Sequence, residues 1–193
     1  LDDNYELSGE IPPSISNLKK LKKLNLSYCR ISGALPETIG GLQSIEEFDI
    51  SRNNITGEIP KSIYKLSTLK SLCLRANRLE GTILPDIGDL RNLTLLFINE
   101  NNLTGDIPSE IANISGMQRL NLSDNKFENL PDLRAFTSLG YFTVENNLFS
   151  FEDFEVNMNI PFPEFDNNGS PYTFTYSPQK KNGDSKNIEL KVC

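Results

Sequence analysis

The chain contains no histidine among its 193 residues, which removes Ser-His-Asp and Cys-His catalysis and most zinc sites together, because each needs an imidazole as base or ligand. Acidic pairs exist at Asp2-Asp3 and Glu46-Glu47. Glycoside hydrolysis, however, requires two carboxyl groups facing each other across the scissile bond, about 5–9.5 Å apart, so neighbouring acids on a surface read as solvated charge. Asp166-Asn167-Asn168-Gly169 opens like a calcium loop but lacks the later ligands and the closing glutamate, and reads as a turn. No catalytic residue, metal or cofactor is expected. What remains is recognition chemistry: Cys73, Arg75, Leu95, Phe97, Asn99, Arg119, Asn121 and Tyr141, with Glu100 beside them, combine an exposed aromatic anchor, apolar neighbours and two guanidinium groups, the usual make-up of a binding hot spot.

Those residues form one surface only if something repeats under them. Cys73, Phe97 and Asn121 are 24 apart, as are Arg75 and Asn99, and Leu95 and Arg119. The same interval separates Leu21, Ile45, Leu69, Leu93 and Met117, each opening the same phrase, and Leu139 follows after 22. A fixed period of this length is the mark of a solenoid, in which one copy cannot bury its own apolar face and stacked copies share a continuous core.

Within each copy the spacing assigns the faces. In Leu24-Asn25-Leu26, Phe48-Asp49-Ile50, Leu72-Cys73-Leu74, Leu96-Phe97-Ile98, Leu120-Asn121-Leu122 and Phe142-Thr143-Val144 apolar residues alternate with one other residue, the period of a half-buried strand. The middle residue is predicted to face outward. Three outward columns follow: Asn25, Asp49, Cys73, Phe97, Asn121, Thr143; Lys23, Glu47, Ser71, Leu95, Arg119, Tyr141; and Ser27, Ser51, Arg75, Asn99, Ser123, Glu145. Six such strands would give a sheet about 25–30 Å wide.

Three residues beyond each strand, Asn53, Asn77, Asn101, Asn125 and Asn147 fall in one column, with Cys29 in the same place in the first complete copy. The chain must turn inward here, and a carboxamide offers both donor and acceptor to the backbone groups it buries. Cys29 is assigned a structural role as a weaker donor. Farther on, Gly33, Gly57, Gly81 and Gly105 precede Leu35-Pro36, Ile59-Pro60 or Ile107-Pro108. Glycine tolerates positive φ and proline removes a donor, so this side should be extended and 3₁₀-like, without α-helices.

The pattern LxxLxLxxNxLxGxIPxxIxxLxx resembles the plant-type subclass of leucine-rich repeats, found in plant receptor-kinase ectodomains, polygalacturonase inhibitors and some bacterial surface proteins. The resemblance covers about residues 1–149 and implies an α/β-type solenoid: a right-handed superhelix with a parallel sheet on its concave face and 3₁₀ or extended structure on its convex side. It is specific for fold and much less so for function.

Departures mark particular places. Leu84 stands in a proline slot and Pro85 follows one place late, while Phe127-Glu128-Asn129-Leu130-Pro131 lacks the glycine and two residues. Leu1-Asp2-Asp3-Asn4 reads as the end of a strand whose start is missing, so the chain is expected to be a fragment of something longer or to have had its N-terminus removed. From 150 to 193 the texture changes to Phe151, Phe154, Phe162, Phe165, Tyr172, Phe174 and Tyr176 among prolines, which is predicted to be an irregular aromatic cap closing the last core face, leading into a linker or a further module. Its strings from Phe149 to Asn157 and from Phe174 to Gln179 are similar to the ends of repeat modules in surface proteins of Bacteroidetes-type bacteria.

Composition bounds the partners. Lys and Arg total 19 against 26 Asp and Glu, a net charge of −7 with no basic stripe, which disfavours nucleic acid. No apolar run reaches the length of a membrane span. Cys29 and Cys73 lie in separate repeats on different faces and are not expected to bridge, and any partner of Cys193 lies past the end of the chain. The sequons at Asn25, Asn54, Asn92, Asn102, Asn113, Asn121 and Asn168 follow largely from the repeat consensus, and matter in a eukaryotic secretory host but not in a bacterial one. The expected function is a non-catalytic extracellular or cell-surface module that recognises a protein or peptide, or else a glycan, on its concave sheet. Two other classes stay open: a structural spacer in a large adhesin, and an inhibitor or carbohydrate-binding protein of the polygalacturonase-inhibitor kind.

Overall fold

A computed structural model describes residues 6–150 and 152–157. The repeats wind into a solenoid whose main sheet holds six parallel strands in strict chain order: Lys23–Asn25, Glu47–Asp49, Ser71–Cys73, Leu95–Phe97, Arg119–Asn121 and Tyr141–Thr143. Register follows the period: Ser71 pairs with Leu95, Leu95 with Arg119 and Arg119 with Tyr141, while Cys73, Phe97, Asn121 and Thr143 line up alongside. The two outward columns that lie within the strands are therefore real neighbours in space.

Inward residues form a single core running the length of the stack. Leu72, Leu96, Leu120 and Phe142 lie beneath the strands, and Ile39, Ile63, Ile87 and Ile111 close it from the convex side. That side carries the 3₁₀ helices Pro13–Asn17, Glu37–Gly41, Lys61–Lys65, Pro85–Asp89 and Ser109–Asn113, in the place that the proline signature marked. The extended segments do more than the sequence reading expected. Ser8–Glu10, Arg30–Ala34, Asn54–Glu58 and Arg78–Glu80 pair into a second parallel sheet, and Thr104–Gly105 pairs with Lys126–Phe127. Once the main sheet fixes the repeat-to-repeat spacing, these runs lie side by side and their amides find partners in the adjacent copy.

The inward turn is built on left-handed backbone. Tyr28, Arg52, Ala76, Glu100, Asp124 and Asn146, each directly before a ladder residue, have φ of 52–57°. None is glycine or β-branched, and each carries the modest strain that L-residues have in this region. Only Asp124 and Asn146 are of residue types enriched there.

The asparagine ladder holds these turns. Asn101 Nδ2 donates to the carbonyls of Leu74, Ile98 and Asn99 at 3.1, 3.0 and 3.2 Å, and its Oδ1 accepts the N–H of Leu79 at 3.0 Å. Asn53, Asn77, Asn125 and Asn147 repeat the pattern, so each carboxamide bonds its own turn and the preceding repeat at once. Cys29 is buried in the same column, and its Sγ donates to the Ser27 carbonyl at 3.5 Å.

At the C-terminal end the short helix Glu152–Glu155 covers the core. Phe154 packs edge-on to Phe149 with centroids 6.0 Å apart, and both are buried. Asn157 accepts the N–H of Leu133 at 2.8 Å and donates to the Pro131 carbonyl at 2.9 Å, a ladder-like role outside the ladder column that sequence spacing did not single out. The expectations for Leu1–Asn4, for Phe151 and for the aromatic stretch from Phe162 onward lie outside the described residues, as do Cys193 and the turn at Asp166–Gly169.

Candidate functional site

The concave sheet divides into two halves of different chemistry. In the first, charges and polar groups satisfy one another. Lys23 and Glu47 pair across adjacent strands at 2.7 Å. Glu46 is bonded by Lys22 at 3.0 Å and Lys70 at 2.7 Å, and these two ammonium groups hold its carboxyl down at about 2. Asn25 Oδ1 accepts the N–H of Ser27 at 2.9 Å and Asp49 Oδ1 that of Ser51 at 2.8 Å, small caps at the strand ends. The acidic pair Glu46-Glu47 is thus engaged with lysines.

The second half is aromatic and cationic. Phe97 and Tyr141 lie 5.8 Å apart with their planes at 53°, and the guanidinium of Arg119, on the strand between them, sits 5.5 Å from one ring centroid and 5.4 Å from the other. Stacking on two rings orients the side chain and adds about 0.5–1 kcal/mol per contact at an exposed site. Asn121 donates to the Tyr141 hydroxyl at 3.4 Å and uses its Oδ1 to cap Ser123 at 3.0 Å. Leu95, Phe97 and Cys73 are half-buried beside this group, and Arg75 flanks it.

Burial, followed by the negative charge of Asp49, pushes the Cys73 thiol up to about 12 against the opposing pull of Arg75 and Arg119. It is a neutral, apolar contact at physiological pH and not a nucleophile.

Seven of the eight residues expected in the site are thus gathered on one half of the sheet, and the eighth differs. Asn99 is only 5% exposed. Its column lies past the strand, where the chain already curls inward ahead of the left-handed residue, so Ser27, Ser51 and Ser123 are buried with it, as is Thr143 in the central column. Asn99 donates to Glu100 at 3.0 Å, but its buried Oδ1 has no partner among the described residues. The left-handed Tyr28 and Arg52, stacked at 5.0 Å outside the predicted columns, escaped sequence reading because pairing there depends on the turn. Of the sequons, Asn25, Asn92, Asn102 and Asn113 are exposed, Asn54 and Asn121 are half-buried, and Asn168 lies outside the described residues.

Leucine-rich-repeat family models match residues 14–79 and 92–114. Over 46 residues the chain is 54% identical to the TMV resistance protein N of Nicotiana glutinosa, a stretch that is 23% of this chain and 4% of that protein. It is similar to the ectodomain of the Arabidopsis receptor kinase HAESA, solved in complex with an IDA peptide hormone, with TM-score 0.72 and 32% identity over 75% of this chain and 24% of the receptor chain. A leucine-rich-repeat protein of Leptospira interrogans superposes with TM-score 0.70 and 28% identity, covering 78% and 38% of the two chains. The chain therefore spans a small fraction of these two plant proteins. A consensus that repeats through the chain and a solenoid that overlays these relatives place it among the plant-type leucine-rich-repeat proteins.

Proposed function

We propose that this chain is a non-catalytic extracellular recognition module that presents the C-terminal half of its concave sheet to a protein or peptide. The observation that carries the reading is the Arg119 guanidinium held between Phe97 and Tyr141: a rigid, partly apolar platform with a cation, on a face whose other half is internally paired. The solved plant relative is a receptor ectodomain bound to a peptide hormone, which supports both the ligand class and the extracellular setting. No helix among the described residues is long and apolar enough to cross a membrane.

The test is selection of peptides from a displayed random library on the immobilised chain, followed by titration against variants. Phe97→Ala should weaken the selected peptides by about 2 kcal/mol or more, and convex Lys65→Ala should leave them unchanged. Peptides that ignore Phe97→Ala but lose affinity with the convex variant would move the site to the other face, and a complete failure to select binders would favour a spacer.

A further inference from the structure

Neighbouring copies of the concave face differ in how the amide after the strand is satisfied, and the third and fourth copies stand apart from the second and fifth on either side of them. In the first, second and fifth copies the central residue, Asn25, Asp49 or Asn121, accepts the amide two residues on. In the third and fourth copies that residue is Cys73 or Phe97, so the amides of Arg75 and Asn99 have no such acceptor. The buried Oδ1 of Asn99 is unpartnered in the same place. Arg75 is half-buried beside the apolar shelf, where its amide is a donor that an extended peptide backbone can meet.

Charge points the same way. Among the described residues neither Arg75 nor Arg119 is in an ion pair, although Lys22, Lys23 and Lys70 all are. Arg119 contacts both rings and makes no ion pair among the described residues, so its N–H fork can take a carboxylate in bidentate fashion. Two unpaired cations beside Phe97 complement a carboxylate at short range, against the chain's net charge of −7.

Resting on the recognition reading above, we propose that the ligand is an extended acidic peptide: Arg119 receives a side-chain carboxylate, Leu95 and Phe97 take a neighbouring apolar side chain, and the peptide backbone runs over Arg75. A peptide fits better than an acidic polysaccharide because the shelf between the cations, formed by Cys73, Leu95 and Phe97, is apolar.

The probe is a library of peptides with acetylated and amidated ends, so that only side chains carry carboxylates. Selected binders should be enriched in Asp or Glu next to an apolar residue, and changing that acid to its amide should weaken binding tenfold or more. In Arg119→Gln the acid and amide forms should bind alike. In Arg119→Lys, which keeps the charge without the planar fork, the preference should shrink to a few-fold, and this second variant decides the matter if Arg119→Gln melts early. Binders that lose affinity with Phe97→Ala but show no acid preference, or whose preference survives Arg119→Gln, overturn this assignment while leaving concave-face recognition standing. Binders that ignore Phe97→Ala sink both. Displacement of the peptides by oligogalacturonate at lower concentration than by the free peptide would assign the Arg119 site to a polysaccharide instead.

Discussion

The hydroxyl oxygen of Tyr64 accepts the backbone N–H of Leu84 at 3.4 Å across the boundary between two repeats. Proline at the equivalent positions Pro36, Pro60 and Pro108 has no N–H to satisfy; Leu84 has one, and the tyrosine of the preceding copy meets it. Tyr64 is buried, and burial pushes its hydroxyl up to about 12. The irregular slot and the odd tyrosine compensate each other.

Tyr64→Phe should therefore cost about 1 kcal/mol, the net worth of one hydrogen bond. Leu84 has φ −82° and ψ 152°, which proline accepts. In a Leu84→Pro background Tyr64→Phe should cost nothing, since the donor is gone. Chemical denaturation of the four proteins gives the coupling energy, and a value near zero would show the contact to be incidental.

Asn101→Ala removes a carboxamide that serves three carbonyls and one amide in buried turns. A loss of about 1–3 kcal/mol is expected. Exposed Asn102→Ala is the control. If the two variants melt together, the ladder does not hold the turns.

Glu46 provides a pH signature. Its carboxyl lies at about 2 in the folded chain against an ordinary 4.5, because Lys70 and Lys22 bond its charged form. The sign follows from linkage: a depressed acid stabilises the fold above the ordinary value, and that contribution is lost as pH falls from about 4.5 to about 2. The gap in melting temperature between wild type and Glu46→Gln should be present at pH 6 and close over that window. Glu46 is half-buried but both its lysines are exposed, so the gap should also shrink with added salt. A gap that stays constant to pH 2 would contradict the pairing.

Gly81 has φ +78°, and a Cβ there would come within 2.8 Å of the Glu58 side chain. Gly81→Ala should destabilise by about 1–2 kcal/mol, mainly through the left-handed backbone. Glu58→Ala clears the contact and should recover only a small part of the loss. Gly116→Ala, with nothing within 4 Å of the new carbon, should be near neutral in the same thermal melts. Full rescue of Gly81→Ala by Glu58→Ala would make crowding the cause, and not φ.

The C-terminal turn closes the stack through Phe154 and Asn157. Phe154→Ala opens a cavity against Phe149 and should cost about 3–5 kcal/mol, and a chain ending at Ser150 should lose cooperative unfolding or aggregate. Circular dichroism and size-exclusion chromatography distinguish these outcomes from a truncated chain that remains monomeric with an unchanged melt, which would reduce the segment to a linker.

Most of the fold was legible because its periods are local. Alternation in Phe48-Asp49-Ile50 set the strand, the 24-residue interval set the register that joins Leu95 to Arg119, and Asn101 with its equivalents marked the turns. The platform residues Phe97, Arg119 and Tyr141 were legible as members of two adjacent columns, since columns follow from the period alone. Other features were decided only when copies stacked. The second sheet exists because neighbouring extended runs, placed by the first, come within hydrogen-bonding distance. Asn99 is buried because the chain turns under the sheet one residue before Glu100, a left-handed step that no residue type there advertises. Whether Arg119 rests on Phe97 and Tyr141 or pairs with an acid, and whether Tyr64 reaches Leu84, depends on distances across repeats. Periodicity determines which residues share a face, because backbone geometry repeats with it, but side-chain contacts between copies depend on how closely those copies pack, and only the tertiary structure decides that.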